Sequence, residues 1–342
     1  MERKYDVEPI LEIKNLCIDF KTPSGPLRAC DNISMTIYKG DIVGIIGESG
    51  SGKSTMASGI LQTIKPPGKI SEGEIHYHAP DGTTVDLLQL GPDDYQKYRW
   101  SKIATVFQAT QNVLNPSLLV KEHFLETAWA HNPNLKENEI IEKAKTVLTQ
   151  VRLEERVLNS YPHQLSGGMK QRTIIALSLV LEPDVIILDE PTTALDVITQ
   201  WYIIDILKKI HHERGITMIF LTHDVSIIGS IVDRIGVMYA GQLVEYGKVE
   251  HVFKTPKHPY TYGLMHAIPS LKDDITKRRA IPGYPPNMLR LPNICRFAPR
   301  CQVHIEGNCD GNKELTDQMY SSPETGQLSR CYKWEEVAVL CH

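Results

Sequence analysis

The sequence predicts an α/β protein with a mixed sheet, an antiparallel β subdomain, a helical subdomain and a small C-terminal extension. Two apolar runs, residues 42–46 and 185–188, have the length and composition of strands buried in a parallel sheet. Helix-forming patterns dominate the middle of the chain, and strands alternate with helices after it. The predicted divisions are an α/β core at residues 1–110 and 179–250, a helical subdomain at 111–178 and an extension at 251–342.

Size and composition limit the classes of function. The chain has 342 residues, of which 42% are hydrophobic and 23% charged, as in an ordinary globular protein with room for two domains. Its formal net charge is -4, so the chain lacks the excess of basic residues that is typical of nucleic-acid-binding proteins. No signal peptide and no apolar run of about 18 residues is present, so we expect the chain to stay in the cytosol.

Two stretches predict particular elements by their local pattern. The segment "GEIHYHAPDGTTVDLL" is typical of a β-hairpin that turns at Asp81 and Gly82. The segment "KENEIIEKAKTVLTQVRL" places apolar residues at helical spacing and predicts an amphipathic helix. Its apolar positions are Ile140, Ile141, Ala144, Val147, Leu148 and Val151.

The segment "IVGIIGESGSGKSTMASGIL" predicts a phosphate-binding loop. Residues 47–54 match G-x-x-x-x-G-K-[ST] between a predicted strand and a predicted helix, which is the context that the motif requires. Backbone N–H groups and the helix N-terminus would bind phosphate, Lys53 would reach the β- and γ-phosphates, and the Ser54 hydroxyl would ligate Mg²⁺. The residues expected to bind nucleotide here are Gly47, Ser49, Gly50, Gly52, Lys53, Ser54 and Thr55.

A pair of carboxylates follows the second apolar run, in "PDVIILDEPTTALD". Asp189 lies at the end of the predicted strand, where α/β sheets collect ligands, and would hold Mg²⁺ through water. Glu190 follows directly and is the candidate general base that would polarise the attacking water. Together with the phosphate loop, this pair favours an ATP-hydrolysing site over a solvated turn.

The segment "YPHQLSGGMKQR" resembles the signature sequence of ATP-binding cassette (ABC) ATPases. Ser166, Gly167 and Gly168 precede a helical stretch and so predict a second anion-binding helix N-terminus. The resemblance covers residues 10–250. It implies that two chains associate head to tail and that the signature of each chain, here Ser166 and Gly168, closes on the ATP held by its partner.

Other positions carry the same resemblance. Gln108 corresponds to the glutamine that senses Mg²⁺ or water, Asp196 to the acidic residue of the D-loop, and His223 to the switch histidine that contacts the γ-phosphate. Phe20 stands where the family places an aromatic ring under the adenine, although a core position is an equal interpretation. Ala109 and Thr110 depart from the Asp-Pro that usually follows the glutamine, which affects the expected coupling surface.

The C-terminal part resembles the extension of ATP-binding subunits from dipeptide/oligopeptide importers, in "TPKHPYTYGLMHAIPSL" and "IPGYPPNMLRLPNICRFAPRC". The resemblance implies an ATP-hydrolysing subunit at the cytoplasmic face of the membrane. Its implied partners are two transmembrane permease subunits, a second related ATP-binding subunit and, indirectly, an extracytoplasmic solute-binding protein. The alternatives are a nickel or oligosaccharide importer, a soluble ABC ATPase, and a redox sensor.

Four of the seven cysteines lie in the extension with the spacing C-x5-C-x7-C-x21-C. In a reducing compartment such a group indicates metal or redox chemistry more than disulfides. The resemblance implies a [4Fe–4S] cluster, with Zn²⁺ as the alternative and unrelated thiols as a third interpretation. The expected ligands are Cys295, Cys301, Cys309 and Cys331.

Overall fold

A computed structural model of the chain describes residues 8–107, 113–193, 195–267, 281–291, 294–306, 308–309 and 318–337. The strands are β1 (Pro9–Thr22), β2 (Gly25–Tyr38), β3 (Ile42–Ile46), β4 (Gly68–His78), β5 (Thr84–Asp86), β6 (Ile103–Val106), β7 (Val185–Asp189), β8 (Thr217–Thr222), β9 (Arg234–Tyr239), β10 (Gln242–Lys248), β11 (Tyr320–Ser321) and β12 (Leu328–Ser329). The α-helices are α1 (Lys53–Ile60), α2 (Pro92–Gln96), α3 (Val120–His131), α4 (Glu137–Gln150), α5 (Gly167–Leu179), α6 (Val197–Arg214), α7 (Val225–Ile228), α8 (Val249–Lys254) and α9 (Pro259–Ala267). Among these helices, none combines the length and apolarity that crossing a lipid bilayer requires.

The chain forms two compact units. Of the described residues, the first unit comprises Glu8, residues 38–41 and those within 89–220. The second unit comprises residues 9–37, 42–88 and the described residues within 221–337. The functional division at residues 110, 178 and 250 stays a prediction.

The second unit contains the antiparallel subdomain, with strand order β2-β1-β4-β5. Its other sheet runs β11-β12-β10-β9-β3, in which β3 pairs with β9 in parallel and β10 pairs with β9 and β12 antiparallel. The sheet is therefore mixed, as the sequence predicts. Every residue of β3 is buried, because a strand covered on both faces needs apolar side chains in both directions.

The first unit combines β6 and β7, which pair in parallel, with the helices α3, α4 and α5, which pack on one another. The predicted amphipathic helix is confirmed as α4, whose buried residues repeat at three- and four-residue spacing. The predicted hairpin is confirmed in the second unit, where β4 pairs antiparallel with β5 and Gly82 adopts φ +86. The strand predicted at Ile42–Ile46 is confirmed with the same bounds.

The C-terminal extension is anchored on a fully buried carboxylate in β10. Glu245 accepts hydrogen bonds from the backbone N–H groups of Lys257 (2.8 Å) and His258 (2.9 Å) and from the side-chain amide of Gln327. Despite these donors, burial raises the pKa of Glu245 to about 7. Because β12 also pairs with β10, one strand of the core organises both ends of the extension.

This burial makes the contribution of Glu245 to stability dependent on pH. Since its pKa is higher in the folded protein than in the unfolded chain, protonation favours folding, and this contribution is lost as the pH rises from about 5 to about 7. We expect Glu245→Gln to gain on the order of 3 kcal/mol in free energy of unfolding relative to the wild type across that range. Urea titrations at several pH values measure the difference. His258, whose pKa burial lowers to about 3, is present in both proteins and cancels.

The matched control is Glu336→Gln, which removes an exposed carboxylate of the same extension. Its free energy of unfolding should follow the wild-type pH profile. Parallel profiles for Glu245→Gln and the wild type would contradict the assigned shift.

Candidate functional site

The phosphate loop connects β3 to α1 as the sequence predicts. Gly52 precedes the helix with φ +101, and Lys53 is its first residue. The Lys53 side chain is buried and folds back over the loop, where Nζ donates to the carbonyl oxygens of Gly47 (2.8 Å) and Glu48 (3.0 Å). The ammonium group therefore lies at the centre of the loop, and the N-terminus of α1 adds its positive dipole end.

Neighbouring segments of the second unit hold the loop in shape. The N–H of Gly241 donates to the Ser51 carbonyl at 2.9 Å, and the Cys30 thiol lies 3.6 Å from the Gly52 carbonyl. The backbone N–H of Glu48 donates to the hydroxyl of Tyr260 at 3.1 Å. Contacts from β2, the β9–β10 turn and α9 thus reach the loop, whose residues Ser49, Gly50 and Ser54 are exposed.

The first unit carries the carboxylate pair. Asp189 ends β7 and is buried, whereas Glu190 is half-buried and adopts φ +47, a left-handed conformation uncommon for glutamate. The Thr193 hydroxyl donates to Glu190 Oε2 at 2.7 Å. Backbone strain of this kind often marks functional positions. The hydrogen bond from Thr193 restrains the direction of the Glu190 carboxylate.

The signature segment begins helix α5. Ser166 is its N-cap, and the Ser166 Oγ accepts from the Met169 N–H at 3.3 Å. This leaves other N–H groups of the first turn without an acceptor in the helix, which is the arrangement that binds anions. A Cβ added to Gly168 would lie 3.2 Å from the Thr199 methyl group, so the first turn of α5 runs close to α6.

Two residues of the same segment have roles that sequence reasoning missed. Gln171 is buried and donates from Nε2 to the Pro191 carbonyl at 2.7 Å, which ties α5 to the turn that follows Glu190. Arg172 donates to the carbonyl oxygens of Gly168 and Arg152 and lies over the Tyr202 ring. Both residues lie in the quoted motif, but only the contacts seen in the structure show that they stabilise the segments around Glu190 and the first turn of α5.

Asp196 begins α6 as its N-cap. Its carboxylate accepts from the N–H of Thr199 (3.0 Å) and from its hydroxyl (2.6 Å). The hydroxyl hydrogen bond from Thr199 and its N–H lower the pKa of Asp196. The residue has a structural role in capping α6, and its predicted role at a dimer interface stays a prediction.

The other predicted site residues lie in different parts of the chain. His223 is exposed and lies directly after β8, in the second unit. The half-buried Phe20 pairs with Gly68 in the register of β1 and β4, and its ring lies against Gly68. Its place under the adenine stays a prediction. Gln108 and its neighbours Ala109 and Thr110 lie outside the described residues.

The four extension cysteines line one cavity of about 30 Å³, together with His258, Phe297 and Arg330 among others. The Cys295 N–H donates to the Cys309 carbonyl at 3.0 Å, and none of these four described cysteines forms a disulfide. Burial raises the pKa of Cys331 to about 12 and also raises that of Cys295. In the described part of the chain, no group of three or more His, Cys, Asp or Glu side chains is arranged so that it could hold a metal ion. The predicted cluster therefore stays a prediction.

Comparison with known families assigns the two parts of the chain. Residues 30–193 match the ABC transporter family, and residues 244–309 match the oligopeptide/dipeptide transporter C-terminal region. The chain belongs to the ABC transporter ATP-binding subunits of the dipeptide/oligopeptide family. It is an ATP hydrolase that works in an ABC importer, with ATP as its substrate and Mg²⁺ as the metal cofactor.

Similar proteins cover almost the whole chain. The chain is 45% identical over 298 residues to the dipeptide transport ATP-binding protein DppD of Caldanaerobacter subterraneus. That alignment covers 87% of this chain and 90% of the relative. The chain is 38% identical to the oligopeptide transport ATP-binding protein OppD of Haemophilus influenzae, over 95% of this chain and 98% of that one.

Solved structures agree on the fold. The dimeric ATP-binding cassette MJ0796 bound to ADP and Pi is 33% identical and covers 70% of this chain and 98% of its own, with a TM-score of 0.61. The cassette MJ1267 in its ADP conformation is 25% identical and covers 75% of this chain and 98% of its own, with the same TM-score. Both confirm the predicted ABC fold.

Proposed function

We propose that this chain energises the import of di- or oligopeptides from the cytoplasmic face of the cell membrane. The observation that carries the proposal is the combination, in one chain, of an ABC cassette with the peptide-transporter C-terminal region. Relatives named for dipeptide and oligopeptide transport align with this chain along almost their whole length. Two transmembrane permease subunits and an extracytoplasmic solute-binding protein are the proposed partners.

The proposed chemistry assigns a role to each site residue. The loop N–H groups and Lys53 would bind the phosphates, and His223 would contact the γ-phosphate. Ser54 and Asp189 supply oxygen donors of the kind Mg²⁺ prefers, and the ion when bound neutralises phosphate charge. Glu190, with its carboxylate fixed by Thr193, would accept the proton of the attacking water.

We further propose that the chain works in a head-to-tail pair with a second, related ATP-binding subunit. The capped N-terminus of α5, with Ser166 and Gly168 in its first turn, would complete the site of the partner chain. Closure on ATP and opening after hydrolysis would then move the permease. Asp196 and Gln108 would act at the interfaces with the partner subunits.

Peptide uptake tests the proposed function. In cells that lack this chain, expression of the full-length protein should restore uptake of a labelled dipeptide or tetrapeptide, and Lys53→Ala should not. Uptake of labelled nickel or of an oligosaccharide in place of peptide would assign the chain to one of the alternative importers. Restoration of no uptake, with ATPase activity intact and no copurifying permease, would contradict a transport role.

We also propose a metal centre at the four extension cysteines, a [4Fe–4S] cluster with Zn²⁺ as the alternative. The four side chains are not arranged as a metal-ligand set in the described structure. Support comes instead from the shared cavity, which is lined by cysteines as distant in sequence as Cys295 and Cys331. Neither Cys17 nor Cys30, which lie in β1 and β2, lines this cavity. A metal would bind the thiolates and so offset the burial that raises the pKa of Cys331.

Protein purified without oxygen should therefore contain bound metal. We expect about four iron and four sulfide per chain with visible absorption, or about one zinc without it, as thiolate sites hold these groups. Cys295→Ser/Cys301→Ser should lose the metal, whereas the control Cys17→Ser should retain it. Wild-type protein that carries neither metal would contradict the proposed centre.

A further inference from the structure

Glu48, the second residue of the phosphate loop, links two parts of the second unit. On one side, its carbonyl oxygen accepts from Lys53 Nζ at 3.0 Å. On the other side, its N–H donates to the Tyr260 hydroxyl at 3.1 Å and its carboxylate accepts from Arg300 Nη1 at 3.0 Å. The backbone and side chain of one loop residue are thus held by the C-terminal extension while the same residue holds the lysine.

Arg300 is buried and fixed in place before it reaches Glu48. Its side chain is only 6% exposed, its Nε donates to the Pro282 carbonyl at 2.8 Å, and its Nη1 also lies 3.3 Å from the Tyr239 hydroxyl. An ion pair with one partner this deeply buried is screened little by solvent. Loss of either charge would leave the other poorly compensated.

An aromatic cluster fixes the two hydrogen-bond partners of Glu48, the acceptor Tyr260 and the donor Arg300. The rings of Tyr239 and Tyr260 have centroids 4.6 Å apart, and Phe297 lies edge-on to each, at 5.3 and 5.5 Å. All three are buried. Phe297 and Arg300 belong to one short turn, in which the Arg300 N–H donates to the Phe297 carbonyl at 2.9 Å. The turn therefore places the guanidinium with little freedom to move.

We propose that Arg300 and Tyr260 are positioning residues for ATP binding, which act through Glu48 to hold the phosphate loop and Lys53 in their binding geometry. The extension would thereby set the ATP affinity of the cassette to which it is attached. The proposal rests on the proposed binding of ATP by this loop. In this proposal, contacts from the extension stabilise the phosphate loop. Cassettes without such an extension must stabilise this loop by other contacts.

The test is a double-mutant cycle on the full-length chain with ATP as the probe. We expect Arg300→Met and Glu48→Met each to raise the dissociation constant and KM for ATP by about tenfold, the size expected for a charge-assisted hydrogen bond, with kcat little changed. The double variant should be no weaker than either single variant, because the two side chains act as a pair. Arg300→Lys, which keeps the charge without the planar fork, should lie between.

The matched control is Arg290→Met, an exposed arginine of the same extension, which should bind ATP like the wild type. If Arg300→Met does not fold, Tyr260→Phe, which removes only the hydroxyl, provides the second test. It should also raise the dissociation constant for ATP. Wild-type ATP affinity in Arg300→Met, or additive effects in the double variant, would overturn the inference. If even the wild type and Arg290→Met bind no ATP, the proposed nucleotide site itself fails.

Discussion

Replacing Glu190 with glutamine is expected to slow ATP hydrolysis by about 100-fold or more and to leave ATP binding intact, since a positioned base contributes about 10²–10⁴-fold. Glutamine has the same shape and can still accept from the Thr193 hydroxyl, so the geometry after β7 should persist. What is lost is the ability to take a proton from water. Phosphate release and equilibrium binding of ATP measure the two effects separately.

The blocked variant also tests the proposed pairing of chains. If hydrolysis normally reopens the pair, Glu190→Gln should accumulate as an ATP-loaded dimer that size-exclusion chromatography resolves. The matched control is Glu182→Gln, a glutamate that precedes the same strand and shares the left-handed conformation, with φ +56. This control should hydrolyse ATP like the wild type. Normal turnover in Glu190→Gln would show that another group is the base.

Much of the fold was predictable because its signals are local. The strand β3 has the bounds of its apolar run, α4 follows the spacing of its apolar residues, and the β4–β5 hairpin turns at the predicted Asp81 and Gly82. A buried run, an amphipathic repeat and a turn residue with positive φ each act within a few residues. Such patterns are legible in one sequence.

The contacts that complete the site were not predictable for the opposite reason. Glu48 and Arg300 are 252 positions apart, and Glu48 and Tyr260 are 212 apart. Glu245 is an isolated acid within a strand, and only the fold shows that it is buried beneath Lys257 and His258. Pairs of this kind depend on how distant segments pack, for which a single sequence carries no periodic signal.

Replacing Gly47 with alanine is expected to weaken ATP binding by about 100-fold or more, because overpacking and backbone strain each cost about 1–3 kcal/mol. Gly47 adopts φ +151, and a Cβ there would lie 2.1 Å from the Met238 carbonyl oxygen and 2.8 Å from Ser51 Oγ. The β9 backbone cannot give way by such a distance, so the loop must move. Since the Gly47 carbonyl accepts from Lys53 Nζ, that movement would displace the lysine.

A matched control separates this clash from the strain of a left-handed residue alone. Gly82 has φ +86, and a Cβ added there would meet nothing within 4 Å. Gly82→Ala should therefore lower the melting temperature slightly, through the left-handed strain of about 1–2 kcal/mol, and bind ATP normally. Binding isotherms and thermal melts of both variants distinguish the two cases. Equal ATP affinity in Gly47→Ala and Gly82→Ala would contradict this prediction. It would mean that the loop tolerates the displacement and that the position of Lys53 does not depend on the Gly47 carbonyl.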